Sequence, residues 1–359
     1  MIAFTRETPA GRIVFGPDRI GHIEEEASRL TAKRILLIAS GSAAAAADRA
    51  SALLGARVAG RWAEVRSHVT AELAQRARAE CAVLEADLLI SVGGGAATGL
   101  AKAVALRLGI PILAIPTTYA GSEVTAVWGL TEGSRKTTGK SADVRPKTVI
   151  YDPLLTVGLP AAVSVSSGLN AIAHCVEALY ASGANPVSTL LALEGIRRMA
   201  AGLTGVVAAP AAAGPRADAL YAAYLGGSVM AEAGTGLHHK ICHVLGGMYG
   251  LPHADLHAAV LPHAVAFIES AEPAVLAPVA AALGGGGSGS GSGSAARSLF
   301  DLAQRLGAPT SLAALGVTRE QILAAAPQVL AGSAGNSPAP AIGDIVALLE
   351  NARTGQRPT

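Results

Sequence analysis

A chain of 359 residues is long enough for two domains with substantial cores, and 51% hydrophobic with 15% charged residues is the composition of a folded globular protein, not a disordered one. A net charge of +2 and an aromatic content of 3% provide neither a basic stripe nor stacking platforms, which argues against a nucleic-acid partner. No apolar run reaches the ~20 unbroken residues of a membrane span, and Met1-Ile2-Ala3-Phe4-Thr5-Arg6-Glu7 lacks the basic-then-apolar order of a signal peptide. With Cys81, Cys175 and Cys242 odd in number and far apart, reduced thiols in a cytoplasmic protein are expected.

The first half alternates short apolar runs with helix-forming sequence. Arg34-Ile35-Leu36-Leu37-Ile38-Ala39 reads as a buried strand, Asp87-Leu88-Leu89-Ile90-Ser91-Val92 as a second and Ile112-Leu113-Ala114-Ile115-Pro116 as a third. Residues 42–55 and 70–86 between them are helical in pattern. The alternation predicts an α/β domain, a parallel sheet with helices on both faces. Residues 137–147 are polar and read as a hairpin or loop, and Val149-Ile150-Tyr151 as a short strand closed by Asp152-Pro153.

Two segments in this half suit a nucleotide. Gly93-Gly94-Gly95, followed by Thr98, stands between a strand and a helix. Glycines there let the backbone approach a pyrophosphate, and the helix N-terminus offers N–H donors. The triplet is not the dinucleotide fingerprint and equally fits a tight turn. After the third strand, Thr117, Thr118 and Ser122 place hydroxyls at the carboxyl end of the sheet, where such folds bind ligands; a capped turn rich in Thr and Ser is the bland alternative.

From about residue 158 strand signals stop. Residues 163–181, 186–203, 217–233 and 237–249 read as helices, often apolar all round, so the second domain is expected to be all-α. The boundary near Gly158-Leu159-Pro160 gives domains 1–157 and 158–359. The Gly/Ser tract 284–294 reads as flexible coil without a catalytic role.

Six of the nine histidines fall between His238 and His263. Asn170 with His174, and His239 with His243, are spaced four apart, which puts each pair on one helix face. His253 follows a Gly-Leu-Pro turn that can return it to the same pocket. Three neutral imidazoles and a carboxylate would make a divalent metal cage, but here an amide holds the fourth position. His238 points off that face, and His257 and His263 are expected on the helix surface or behind the first layer. His22 and His68 read as structural or exposed.

Together these segments resemble the iron-containing (group III) alcohol dehydrogenases, which share their two-domain architecture with dehydroquinate synthase. The likeness rests on Gly93-Gly94-Gly95, Pro116-Thr117-Thr118, Ser122-Glu123-Val124-Thr125, the helix of His174, and His239-x3-His243-x9-His253. It implies metal ligands at Asn170, His174, His239 and His253, with His243 a nearby non-ligand. Three departures stand out. Gly99 replaces an aspartate common in the family, Ser40 replaces the usual acidic residue after the first strand, and Asn170 replaces the ligand aspartate.

Gly99-Leu100-Ala101-Lys102, Tyr119-Ala120-Gly121-Ser122-Glu123 and Gly168-Leu169-Asn170-Ala171-Ile172-Ala173-His174 are similar to one branch, the maleylacetate reductases. That likeness implies NADH-dependent, sometimes NADPH-dependent, reduction of maleylacetate to 3-oxoadipate in aromatic breakdown, without a required metal. If a metal is bound, His174, His239 and His253 are its expected ligands.

Hydride addition to the enone double bond leaves an enolate, less basic than an alkoxide, so hydrogen-bond donors can replace a Lewis acid. His243 or His253 is assigned as general acid, with His174, His239 and Asn170 positioning the enolate oxygen or a carboxylate. Lys140, where the family usually has a lysine, is the expected cation for the dicarboxylate. Gly93, Gly94, Gly95, Thr98, Thr117, Thr118, Ser122 and Ser40 are the expected cofactor residues, and a homodimer is expected. A metal-dependent alcohol or aldehyde dehydrogenase and a dehydroquinate-synthase-like lyase are the alternatives.

Overall fold

A computed structural model of the chain describes Phe4, Arg6 and residues 11–66, 69–133, 135–284, 293–333, 335 and 338–359. His68 and residues 285–292 of the Gly/Ser tract lie outside the described residues. The chain divides into two compact units, Glu7–Leu159 and Pro160–Thr359, the latter joined by Met1–Arg6. Those first residues were expected with the α/β half; Arg6 instead donates from Nε to Glu232 at 2.9 Å.

The first unit contains β1 (Arg12–Phe15), α1 (Ile23–Arg29), β2 (Ile35–Ala39), α2 (Ala44–Leu54), β3 (Val58–Trp62), α3 (Ala71–Val83), β4 (Leu88–Gly93), α4 (Gly95–Leu108), β5 (Ile112–Pro116), β6 (Val127–Glu132), β7 (Arg135–Lys140) and β8 (Thr148–Tyr151). Six strands form a parallel sheet in the order β1-β8-β5-β4-β2-β3, and β6 and β7 form a separate antiparallel hairpin. Both faces of the sheet are covered, as the continuous apolar strands require. Along β2, Ile35, Leu37 and Ala39 pack with Ala47 and Ala50 of α2. Leu36 and Ile38 point the other way, to Leu73 and Ala77 of α3 and Leu100 and Val104 of α4.

Lys102 on α4 is completely buried. Its Nζ donates to Ser122 O at 2.6 Å, Thr125 Oγ1 at 2.9 Å and Val127 O at 2.8 Å. Burial pulls its pKa down to about 7, yet every ammonium direction meets an oxygen. The lysine therefore pins the loop after β5 to the helix that follows the glycine triplet. Lys102→Met would strand these acceptors, so we expect a loss of roughly 3 kcal/mol, or roughly 5–10 °C in Tm. A melting curve within about 1 °C of the parent would show that the pin carries no stability.

The second unit contains α5 (Ala161–Glu177), α6 (Pro186–Ala208), α7 (Ala213–Ala233), α8 (Leu237–Tyr249), α9 (His253–Ala271), α10 (Pro273–Ala282), α11 (Ala295–Arg305), α12 (Arg319–Gly332) and α13 (Ile342–Thr354). Asn185 starts α6 with a capping box, its Oδ1 accepting from Val187 and Ser188 N–H groups, each at 3.0 Å. Every residue of α5 from Ser164 to Glu177 is buried. A Cβ at Gly226 would come 2.8 Å from the Ala171 carbonyl, so glycine on α7 is what lets the backbone of α5 lie so close. Among the described residues no helix is long and apolar enough to cross a membrane.

Candidate active site

Within the helical unit, α5 carries Asn170, His174 and Glu177 at intervals of four and three residues, which places all three on one face. Glu177 is fully buried at the C-terminal end of its helix, where the helix dipole disfavours a carboxylate. The start of α8 compensates it. Oε1 accepts the backbone N–H of His239 at 3.1 Å and the Tyr180 hydroxyl at 3.4 Å, while Oε2 pairs with His239 Nδ1. Gly236, the residue before α8, makes no side-chain cap, so Glu177 caps that helix from a neighbour. A Cβ at Gly236 would lie 2.7 Å from the Tyr180 ring and 3.3 Å from Glu177 Oε1.

Burial alone would raise the Glu177 carboxyl, but the adjoining His239, its hydrogen bond and His238 hold it down to about 2. Glu177 thus stays ionised and fixes one nitrogen of His239. The opposite nitrogen, Nε2, is buried without a hydrogen-bond partner, as are Asn170 Oδ1 and His174 Nδ1. The rings of His174 and His239 stack with centroids 5.0 Å apart. Burial, reinforced by the neighbouring His239, pushes the His174 pKa well below its ordinary value, so this imidazole is neutral near pH 7. These unpartnered polar atoms concentrate in one buried cluster and are the groups open there to a ligand, an ion or water.

Two histidines set aside in the sequence belong to this cluster. His238 and His257 are both fully buried, and His238 Nε2 lies 2.9 Å from His257 Nδ1 in a hydrogen bond. The ring of His257 is 4.7 Å from that of His239 and 4.3 Å from that of His253. His238 points inward because α8 is covered on that side by α9, and His257 lies one turn into α9 from His253. Of the two alternatives for His257 and His263, helix surface or behind the first layer, only the surface one is overturned, since both are buried. His243 and His253, in contrast, are exposed, with rings 6.4 Å apart and 15° from parallel.

His263, also on α9, is 4% exposed and packs edge-on against Phe300 at 6.2 Å. Burial pulls its pKa down to about 4. An unfolded histidine titrates near ~6.5, so between the two values the unfolded chain binds the extra proton. The contribution of His263 is complete above about pH 6.5 and is lost as pH falls toward 4. His263→Met is expected to leave Tm at pH 7.5 nearly unchanged and to slow its decline between about pH 6.5 and 4. Parallel declines for parent and variant would remove His263 from the acid limb.

The other unit gathers the expected cofactor residues at the carboxyl ends of β2, β4 and β5. Gly93 has φ of 144°, and a Cβ there would lie 2.8 Å from Ser40 Oγ. A Cβ at Gly94 would lie 2.9 Å from Thr118 Oγ1, and one at Gly95 3.2 Å from Ala120 Cβ. Thr117 N–H donates to Gly93 O at 3.0 Å, joining the two loops. Gly94 precedes α4 with no side-chain cap; Ala97 N–H donates to Gly94 O at 3.1 Å, which leaves the N–H groups of Gly95 and Ala96 to face a phosphate. Thr98 is buried one turn along, and Ser122 opens the loop that Lys102 holds. Lys140 ends β7 opposite Val127 with its side chain exposed.

Comparison with known proteins follows both halves of this description. Residues 9–153 match the iron-containing alcohol dehydrogenase family, and residues 164–353 match the C-terminal part of the Fe-containing alcohol dehydrogenase family. A maleylacetate reductase of Burkholderia cepacia is 47% identical over 360 residues, covering 100% of each chain. The crystal structure of a maleylacetate reductase from Agrobacterium tumefaciens superposes with a TM-score of 0.94 at 42% identity, covering 100% of each chain. That of a maleylacetate reductase from Rhizobium sp. strain MTP-10005 gives 0.93 at 43%, again over 100% of each.

Proposed function

This chain belongs to the iron-containing alcohol dehydrogenase family, and from that premise we propose that it reduces maleylacetate to 3-oxoadipate with NADH. The observation that carries the reading is the full-length likeness to proteins named maleylacetate reductases, at 40–47% identity.

Maleylacetate is a 4-oxo-2-enoic diacid. Hydride from NADH adds to the carbon β to the ketone, the double-bond pair moves toward the carbonyl, and an enolate forms. A proton then adds to the carbon next to the ketone, giving 3-oxoadipate and NAD⁺. An enolate is far less basic than an alkoxide, so aligned donors can stabilise it. We assign this stabilisation to Asn170, whose amide brings donors where aspartate would bring only charge facing a dianion, with His239, oriented by Glu177, positioning the substrate beside it. His174, kept neutral by burial, positions rather than protonates. His243 and His253 remain the candidates for general acid, because their exposure gives a proton a route from solvent. Lys140 is proposed to pair with a substrate carboxylate. The glycine loop with Ser40, Thr98, Thr117, Thr118 and Ser122 is proposed to hold the cofactor. Ser40 leaves no acidic anchor for the ribose 2′-hydroxyl, so NADPH is the second choice.

The family description implies iron, and the donor set fits a cation. Asn170, His174 and His239 each present a buried atom without a hydrogen-bond partner, and imidazole suits iron and zinc alike. A metal held by His174, His239 and His253, as the resemblance implies, would supply Lewis-acid stabilisation of the developing oxyanion. The expectation that no metal is required gains no support from this family. Those same unpartnered atoms favour a metal-dependent alcohol or aldehyde dehydrogenase as the second reading.

Deuterium labelling separates the two. With NADH deuterated at the transferring position, the conjugate reduction puts the label on the product carbon β to the ketone. Label on a carbinol carbon would mean carbonyl reduction and would overturn the assignment.

A further inference from the structure

We propose that Glu123 and Tyr151, acting with Lys102, are positioning residues for the nicotinamide cofactor, holding residues 117–125 from the inside so that Thr118 and Ser122 meet the dinucleotide in one conformation. These roles rest on the proposed cofactor site. After β5 the chain alternates. Thr117, Tyr119, Gly121 and Glu123 are buried, while Thr118, Ala120 and Ser122 between them are partly open. The open side is the one that meets the glycine triplet: a Cβ at Gly94 would touch Thr118, and one at Gly95 would touch Ala120. The buried side needs partners, because a single short 3-10 turn, Ser122–Val124, satisfies only part of its backbone.

A buried amine and a buried carboxyl supply those partners. Lys102 takes the acceptors: its Nζ donates to the carbonyls of Ser122 and Val127 and to Thr125 Oγ1, which itself donates to Ser122 O at 3.1 Å. Glu123 takes the donors: the Tyr151 hydroxyl donates to its Oε1 at 2.7 Å, and the backbone N–H groups of Gly121 and Glu123 also reach its carboxyl. Gly121 has φ of 76°, the left-handed turn that lets nearby N–H groups point at one acceptor. The loop therefore closes on its own carboxyl group, and Tyr151 anchors that group to β8, which pairs with β5 in the sheet. Burial pushes the Glu123 carboxyl up, and Tyr151, the two N–H groups and Lys102 each pull it back. Glu123 is 1% exposed and Tyr151 fully buried, so neither meets the cofactor. Their effect is carried by Ser122, the neighbour of Glu123 in the chain, whose carbonyl Lys102 holds.

Full-length enzyme is titrated with NADH by fluorescence and assayed with maleylacetate. Tyr151→Phe keeps the ring and deletes only the hydroxyl, while Glu123→Gln replaces one carboxyl oxygen with an amide nitrogen that cannot accept. Each should raise the Kd for NADH roughly tenfold while kcat at saturating NADH and KM for maleylacetate stay within about twofold. The double variant should bind NADH within about twofold of the weaker single variant, because both changes loosen one contact. A purely structural pair would lower Tm and leave the Kd of the folded enzyme unchanged; that result overturns the proposal, as does an equal loss for both substrates. The unaltered chain crystallised with NADH gives an answer that does not depend on the variants folding. Thr118 or Ser122 within hydrogen-bond distance of the cofactor, with the Tyr151–Glu123 and Lys102–Ser122 bonds kept, supports these roles, and rupture of either bond on binding overturns them. NADH bound by the parent and by both variants alike sinks only the positioning roles, whereas no NADH binding by the parent removes the cofactor site and these roles with it.

Discussion

Glu177→Gln is expected to reduce kcat for maleylacetate by roughly 10²–10³-fold while KM for NADH stays within about twofold. The carboxylate is fully buried and is the anion facing His239, accepting both its backbone N–H and its ring Nδ1. Glutamine retains one acceptor but removes the charge and offers an N–H where an acceptor is needed. His239 is then free to turn or change tautomer, and its Nε2 is no longer aimed by the pair. Breaking such a pair also leaves a buried polar group short of partners, worth roughly 3–5 kcal/mol. Stability and activity are separable here, because Glu177→Asp keeps the charge at shorter reach and should recover part of kcat. A Glu177→Gln enzyme within about threefold of the parent in kcat would remove the pair from the chemistry.

Gly93→Ala is the counterpart on the cofactor side, with an expected rise in KM for NADH of roughly 10–100-fold and a smaller change in kcat. With φ at 144°, Gly93 occupies backbone space that L side chains rarely adopt, at a cost of about 1–3 kcal/mol. The added Cβ would also come within 2.8 Å of Ser40 Oγ and 3.2 Å of Ala97 Cβ. The loop must shift, and with it the N–H groups at the start of α4. Ser40→Ala in the same chain removes the hydroxyl contact but not the φ strain, so it should rescue the KM only in part. Complete rescue would show that the Ser40 contact alone carries the effect. An unchanged KM in the single variant would take the triplet out of the cofactor site.

The strands that read clearly in sequence are those buried on both faces, since an unbroken run such as Ile35-Leu36-Leu37-Ile38 has no polar phase to confuse it. β1 and β3 escaped because they lie at the two edges of the sheet and are half exposed, and Val58-Ala59-Gly60-Arg61-Trp62 carries a glycine and an arginine. In the helical unit, spacing correctly put Asn170 and His174 on one face of α5. It gave no weight to Glu177 three residues on, although an acid inside an apolar helix was a visible signal. Helix spacing puts His238 off the face of α8 that carries His239 and His243, but α9 packs on that other side and brings His257 to His238. No local pattern reveals such a contact across 19 residues of sequence. Lys102 likewise carries no local signal, since nothing in the neighbouring sequence distinguishes a lysine held by three oxygens from a solvated one.

Maleylacetate-dependent oxidation of NADH, followed at 340 nm, tests the central assignment most directly, and the product is checked as 3-oxoadipate. The enzyme is expected to consume one NADH per maleylacetate and to turn over simple alcohols with NAD⁺ at least roughly 10³-fold less efficiently in kcat/KM. Efficient oxidation of simple alcohols with no turnover of maleylacetate, in metal-loaded and chelated enzyme alike, would contradict it.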